Sequence, residues 1–193
     1  MNLDLQEPEQ IRDQIWKQLG RATEDRHHAW RTPVLATTDA SGMPNARTVV
    51  LRKAHRMGAM GELEMYTDLR SPKVSELRAQ PMACLVFWSA RLHWQLRVRV
   101  SVSIQTDGPV VTSLWQSLRQ TRAAGDYMGV QAPGALLSHD PDISTDLVSD
   151  EQSPAAYFAV LKAEVFEIDW LELGREQHRR AKMVGDSWQW LAP

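Results

Sequence analysis

The sequence predicts a mainly β protein with some α-helix, built as an antiparallel β-barrel flanked by helices. Predicted strands outnumber predicted helices, and most neighbouring strands are close enough in sequence to pair as hairpins. A nucleotide-binding α/β sheet lacks support, because the chain has neither a Gly-x-Gly-x-x-Gly nor a Gly-Lys-Ser/Thr motif.

The overall composition is that of one globular domain. The chain has 193 residues, of which 24% are charged and 43% hydrophobic. We expect a helix within residues 1–30, packed on a barrel domain that spans residues 31–193. The net charge of -2 gives no sign of a nucleic-acid partner.

Targeting and metal-site features are missing from the sequence. No stretch approaches the roughly 20 apolar residues of a membrane span, and the N-terminus lacks a basic, then apolar, signal peptide. We therefore expect a cytoplasmic protein without a membrane partner. Cys84 is the only cysteine and no histidine has zinc-site spacing, so we expect no disulfide and no metal. Cys84 lies in an apolar run and is expected to be a small buried thiol.

The first half of the chain predicts one helix and three strands. Ile11, Ile15 and Leu19 recur at helical spacing, which predicts a helix over residues 7–28. Strands are predicted over 34–38 and 46–52, joined by a turn at 39–42, and a third over 62–67.

The second half alternates helices and strands. A helix is predicted over 71–79, with Ser71 as its cap and Pro72 at its first position. Strands follow over 82–88 and 93–104, then a helix over 109–121. A loop over 123–153, rich in Gly, Pro, Ser and Asp, is expected to be a lid or mobile. A long strand over 157–170 and a hairpin of 177–184 with 187–191 end the chain.

Two early segments are candidate anion sites. The first is the strand formed by Arg47, Thr48, Val49, Val50, Leu51 and Arg52. Its guanidinium groups could hold a phosphate, although a half-buried strand with solvated arginines explains the same pattern. The second segment holds Tyr66, Thr67, Ser71 and Lys73 at the predicted helix start. Such a start with an ammonium favours phosphate, but an ordinary Ser-capped helix remains open.

Two later segments carry polar groups suited to a cofactor edge or to proton transfer. Gln95 offers both a donor and an acceptor, and His178 could transfer protons or bind an anion. Trp170 and Arg180 flank the His178 segment. Taken alone, each segment is also explained as a polar strand face or a charged surface loop.

Taken together and in order, these four segments resemble the pyridoxamine 5'-phosphate oxidase family and its flavin-binding split-barrel relatives. The resemblance runs from about Arg31 to Pro193. It implies an FMN-binding split barrel that forms a homodimer, with each FMN site at the subunit interface. The cofactor-binding residues that it implies are Arg47, Thr48, Val49, Val50, Leu51, Arg52, Tyr66, Thr67, Ser71, Lys73, Gln95, Gln131, Trp170 and Arg180.

The sequence departs from the family pattern on both the phosphate side and the substrate side. Pro72 stands where the oxidases usually have an arginine, and Ala132 follows Gln131 where they have a serine. Glu176 replaces an arginine that contacts the pyridoxal substrate. The substrate-phosphate group of the family matches only Trp115, Arg119 and Ala123. His178 and Arg119 are the catalytic candidates that remain.

These departures lead us to expect an FMN-dependent oxidoreductase acting on a small molecule other than pyridoxamine phosphate. The alternatives are a genuine pyridoxamine or pyridoxine 5'-phosphate oxidase, and a non-catalytic flavin- or haem-binding module. A barrel that binds a deazaflavin fits the same fold.

Overall fold

The computed structural model describes residues 7–129, 131–136, 157–174 and 177–193. Most of the predicted loop 123–153, together with Arg175 and Glu176, therefore lies outside the described residues. None of the described helices is long and apolar enough to cross a membrane.

Within the described residues, nine strands form one antiparallel sheet that closes into a barrel. They are β1 (Val34–Thr38), β2 (Pro44–Thr48), β3 (Leu51–Met57), β4 (Met60–Asp68), β5 (Met82–Ser89), β6 (Trp94–Gln105), β7 (Phe158–Leu173), β8 (His178–Val184) and β9 (Ser187–Leu191). The strand order is β2-β1-β5-β6-β7-β4-β3, and β8 joins β7 to β9. The predicted antiparallel barrel is confirmed.

The predicted single strand over 46–52 is wrong in one respect, because the structure divides it into two strands, one ending at Thr48 and the next beginning at Leu51. β2 pairs with β1 at one end of the strand order, and β3 pairs with β4 at the other end. Only two residues connect β2 to β3, so the two edges of the sheet must lie side by side. The Val49 N–H bonds to the Pro33 carbonyl at this seam rather than to a ladder partner.

The long strand β7 explains why the barrel is split. Its first half, from Phe158 to Val165, pairs with β4, and its second half, from Glu167 to Leu173, pairs with β8. β6 follows β7 along both halves, with a register shift beside Arg99. One strand thus belongs to the barrel and to the C-terminal hairpin at once.

Three α-helices pack around the barrel: α1 (Pro8–Glu24), α2 (Pro72–Ala79) and α3 (Pro109–Leu118). α1 buries Ile11, Ile15 and Leu19 against the barrel, as the helical spacing predicted. It ends at Glu24 rather than at His28, because the Arg31 guanidinium bonds the last carbonyls of the helix, those of Ala22 and Thr23.

Alternation along β6 places its side chains on two opposite faces of the sheet. Leu96, Val98 and Val100 are fully buried in the main core. The opposite face of β6 carries Arg97 and Arg99, and it continues across β5 through Cys84, which pairs with Arg99. Cys84 is half-buried on this outer face, so the prediction of a buried thiol is wrong. Its pKa is raised by burial.

Candidate functional site

A cationic site lies where β4 feeds α2. Pro72 starts the helix and Ser71 occupies its cap position, as the sequence predicted. The Ser71 hydroxyl does not cap the helix backbone. It accepts a hydrogen bond from Lys73 Nζ at 2.6 Å, and the Thr67 hydroxyl accepts another at 3.2 Å. Thr67 and Ser71 are both buried, so the ammonium is held against the start of the helix.

Arg47 reaches the same place from β2. It points to the side of the sheet that faces α2, next to Thr37, to which it donates a hydrogen bond. Its Nη2 donates to Glu76 Oε2 at 2.8 Å. Because Glu76 lies one turn after Lys73 on α2, this ion pair brings the guanidinium to the start of the helix.

Two like charges therefore approach each other in a partly buried setting. Burial lowers the pKa of Lys73 below its ordinary value, and the neighbouring Arg47 charge lowers it further. No carboxylate lies within salt-bridge distance of Lys73 among the residues that the structure describes. We call Arg47, Thr67, Ser71 and Lys73 the phosphate cradle, because two cations and two hydroxyls beside a helix start suit a dianion there.

The other residues of the 47–52 segment divide between the barrel interior and the surface. Val49 and Leu51 are buried in the core, Thr48 is exposed, and Val50 is half-buried. The interior pair anchors the seam, so the segment offers its two arginines, rather than its apolar side chains, to a ligand.

Arg52 forms a second polar group next to Tyr66. Its guanidinium lies 5.2 Å from the centre of the Tyr66 ring and makes a hydrogen bond with Tyr127. Arg52 Nε is buried and has no hydrogen-bond partner in the described part of the chain. Burial raises the pKa of Tyr66 and of Tyr127. A buried N–H that lacks a hydrogen-bond partner costs free energy.

Gln95, His178 and Arg180 lie elsewhere, on the outer face of the sheet. Gln95 pairs with Leu171, which in turn pairs with Arg180. Asp169 accepts two hydrogen bonds from Arg180, at 3.0 and 2.8 Å, and one more from Arg97. These bonds outweigh burial and hold the pKa of Asp169 below its usual value. The structure does not bring this group to the phosphate cradle within one chain.

Residues of the C-terminal hairpin line an open concavity of about 380 Å³. His178 and Arg180 contribute polar groups, and Trp190, which is half-exposed, supplies a flat aromatic surface.

Three further candidate residues do not lie near the phosphate cradle in positions suited to ligand contact: Trp170, Arg119 and Gln131. Trp170 is fully buried, edge-on to Trp94 with ring centres 5.4 Å apart, so it belongs to the core of its own chain. Arg119 is exposed at the end of α3. Gln131 is exposed in the short segment whose Gly134 approaches the Pro72 ring.

The residues matched to the substrate-phosphate group do not form such a group. Trp115 is buried and packs against Phe158, with ring centres 5.5 Å apart. Ala123 has no polar side chain. It lies in a 3-10 helix, Arg122–Tyr127, most of which the sequence predicted as loop. The family oxidases usually have an arginine at the position of Pro72. The nearby Arg70 does not take its place, because its guanidinium pairs with Asp68.

Sequence reasoning missed three residues that hold the arginines: Glu76 for Arg47, Asp169 for Arg180 and Tyr127 for Arg52. Glu76 and Asp169 are polar residues at positions that the structure buries. Their partners are 29 and 11 residues away in sequence, which no local pattern indicates. The one sequence feature that could have indicated these partners is an acidic residue at a position where the helix or strand pattern predicts a buried side chain.

Comparison with known proteins gives a consistent result. Residues 13–106 match the family model described as pyridoxamine 5'-phosphate oxidase, FMN-binding domain. A pyridoxine/pyridoxamine 5'-phosphate oxidase from Jannaschia sp. is 28% identical over 167 residues, which cover 80% of each chain. The enzyme of that name from Thermosynechococcus vestitus is 43% identical over 68 residues, which cover 35% of this chain and 30% of that one.

Solved structures share the fold over the whole chain. A pyridoxamine 5'-phosphate oxidase-related, FMN binding protein from Nostoc punctiforme has a TM-score of 0.74 at 22% identity, covering 98% of this chain and all of the other. PhzG from Burkholderia lata, solved with tetrahydrophenazine-1-carboxylic acid, has a TM-score of 0.67 at 17% identity, with both chains fully covered. The chain is thus similar to the pyridoxamine 5'-phosphate oxidase family over residues 13–106 and to a named oxidase over most of its length, and it shares the split-barrel fold of these solved structures.

Proposed function

We propose that this chain binds FMN and acts as an FMN-dependent oxidoreductase on a small molecule other than pyridoxamine phosphate. The observation that carries the proposal is the phosphate cradle, in which Lys73 and Arg47 face the same helix start. A phosphate dianion would interact favourably with both cations and with the positive end of the α2 dipole. The matching family model, which names an FMN-binding domain, supports the same ligand.

The other residues that the resemblance implies would bind the rest of the cofactor. Tyr66 and the half-buried Arg52 side chain would contact the ring system near the cradle. Bound flavin supplies hydride transfer, and the protein orients the substrate and tunes the ring through hydrogen bonds. His178, exposed in its concavity, is the candidate to hold or release a proton.

The second half of the site would come from a partner chain, which makes the working unit a homodimer. Gln95 and Arg180 lie on the outer sheet face, apart from the cradle. That face is apolar along β5, where Val86 is half-buried and Met82 and Trp88 are each 45% exposed. A second copy covering this surface would bring its Gln95 and Arg180 towards the first chain's cradle, as the family resemblance implies.

The substrate proposal rests on the missing phosphate donors. Trp115 is buried, Ala123 has no donor, and Arg119 is exposed to solvent. Each lost charge-assisted hydrogen bond would make the binding free energy of a phosphorylated substrate less favourable by about 1.5 to 3 kcal/mol. A substrate without a phosphate group would not need these donors.

Replacing both cradle cations tests FMN binding. The variant Arg47→Ala/Lys73→Ala is expected to raise the Kd for FMN by about a hundredfold or more, since two charge-assisted contacts are lost. The measurement is quenching of flavin fluorescence on titration, with circular dichroism to show that the barrel still folds. Full FMN stoichiometry in this variant would refute the assignment.

A matched control removes the same charges from exposed helix surfaces. Lys17 lies on α1 and Arg78 on α2, and both are exposed. The variant Lys17→Ala/Arg78→Ala is therefore expected to bind FMN as the wild type does. A comparable loss in this control would mean that net charge, rather than the cradle, governs binding.

The second candidate is a genuine pyridoxamine or pyridoxine 5'-phosphate oxidase, which the names of the similar proteins favour. It predicts that FMN-loaded protein converts pyridoxamine phosphate to pyridoxal phosphate with release of hydrogen peroxide. An assay of both products at substrate saturation decides between the two candidates.

A further inference from the structure

Glu76 is a buried carboxylate beside a site built for an anion. Its side chain is 7% exposed, and it lies on α2 one turn after Lys73. A negative charge there repels an incoming phosphate. The Coulomb contribution of Glu76 taken alone is therefore unfavourable for binding.

The contacts of Glu76 point in the other direction. Thr37 Oγ1 donates to Oε2 at 2.5 Å, Asn45 Nδ2 donates to Oε1 at 2.9 Å, and Arg47 Nη2 donates to Oε2 at 2.8 Å. Burial raises the pKa of Glu76, but these bonds and the Arg47 charge outweigh it and hold the pKa below its usual value. The carboxylate is therefore ionised at neutral pH.

The network leads to a single side chain. Thr37 and Asn45 lie on β1 and β2, and they contact both Glu76 and Arg47. Arg47 therefore has two of its nitrogens engaged on the side that faces Glu76 and Thr37. A long side chain that would otherwise sample many rotamers is held in one orientation before any ligand arrives.

We infer that Glu76 is a positioning residue for the phosphate cradle: it fixes the Arg47 guanidinium beside Lys73 and so tightens binding of a phosphate-bearing flavin. The inference rests on the proposed FMN function. Glu76 acts through Arg47 and makes no contact with the ligand. The orientation that it provides outweighs the repulsion that it introduces.

The two effects of Glu76 have opposite signs, which makes Glu76→Gln decisive. Glutamine has nearly the same shape, removes the charge and replaces one acceptor oxygen with an NH2 donor. If repulsion dominates, FMN binds more tightly to the variant. If positioning dominates, the Kd for FMN rises about tenfold, as expected from loss of one charge-assisted contact. Riboflavin, which lacks the phosphate, should bind both proteins equally.

A double-mutant cycle tests whether the effect passes through Arg47. In an Arg47→Met background, Glu76→Gln should no longer raise the Kd for FMN, because there is no guanidinium left to orient. A general loss of structure would instead weaken FMN and riboflavin in both backgrounds. Glu62→Gln is the matched control, since Glu62 pairs with Lys162 at 3.4 Å on β4, away from the cradle.

Asn45→Ala covers the case in which Glu76→Gln does not fold. It leaves the carboxylate in place and removes one of its donors, so the Kd for FMN should rise about threefold. An unchanged or lower Kd in Glu76→Gln, with wild-type protein binding FMN, overturns the inference alone. Failure of the wild type to bind FMN overturns the proposed function and the inference together.

Discussion

Lys73 shows how one residue can carry both the affinity and the pH response of the site. In the ligand-free chain, burial and the nearby Arg47 lower the pKa of its ammonium. A bound phosphate dianion favours the charged form and raises that pKa again. Binding is therefore coupled to proton uptake once the pH approaches the lowered value.

We predict that FMN affinity falls as the pH rises through the lowered pKa of Lys73. Fluorescence titrations of FMN between about pH 7 and pH 10 measure this, because the phosphate is already dianionic above its second pKa of about 6. Lys73→Arg should abolish the alkaline fall, since a guanidinium stays charged. An identical pH profile in Lys73→Arg would show that another group is responsible.

Helix α1 packs closely against the barrel at Gly61, where the Trp16 ring lies next to the backbone of β4. A Cβ added to Gly61 would lie 2.1 Å from the His55 carbonyl oxygen and 2.6 Å from the Trp16 ring. The glycine thus lets β3, β4 and α1 meet. Gly20, on the same helix, has nothing within 4 Å of its Cβ position.

The two glycines predict opposite responses to alanine. Gly61→Ala should lower the free energy of unfolding by about 1 to 3 kcal/mol, because backbone and a packed indole must move. Gly20→Ala should raise it by about 0.5 to 1 kcal/mol, because alanine favours the helix. Urea denaturation measures both. A neutral Gly61→Ala would mean that α1 packs more loosely than the contacts indicate.

The outer face of the sheet, to which several strands contribute, is the surface that we propose for association of two chains. Across β5, β6 and β7 it combines apolar side chains with the ion network of Arg97, Asp169 and Arg180. An exposed apolar strip of this kind on a sheet face commonly marks an interface between subunits. In the proposed dimer it also supplies the residues that the cradle lacks.

We predict that Trp88→Glu converts the proposed dimer to monomers and weakens FMN binding at the same time. A charge placed on the apolar strip would have to be desolvated on association. Analytical ultracentrifugation of the FMN-loaded protein measures the first effect and fluorescence titration the second. Met57→Glu is the control, because Met57 is 60% exposed at the β3–β4 turn. A monomeric wild type that binds FMN fully would contradict the shared site.

The sequence by itself determined the elements and several site residues, because these follow from local rules. Alternation along β6 and the proline at the start of α2 identify their structures from neighbouring residues alone. The same local spacing placed Ser71 and Lys73 together at a helix start.

Only the tertiary structure decided which cations share a pocket. The break between Thr48 and Leu51 sends Arg47 to α2 and Arg52 to Tyr66, and it depends on both edges of the sheet meeting. Glu76 binds Arg47 from a helix 29 residues away, and Trp170 is drawn into the core by Trp94. Such contacts depend on barrel closure, whose energy comes from burial between distant segments and therefore leaves no local pattern in the sequence.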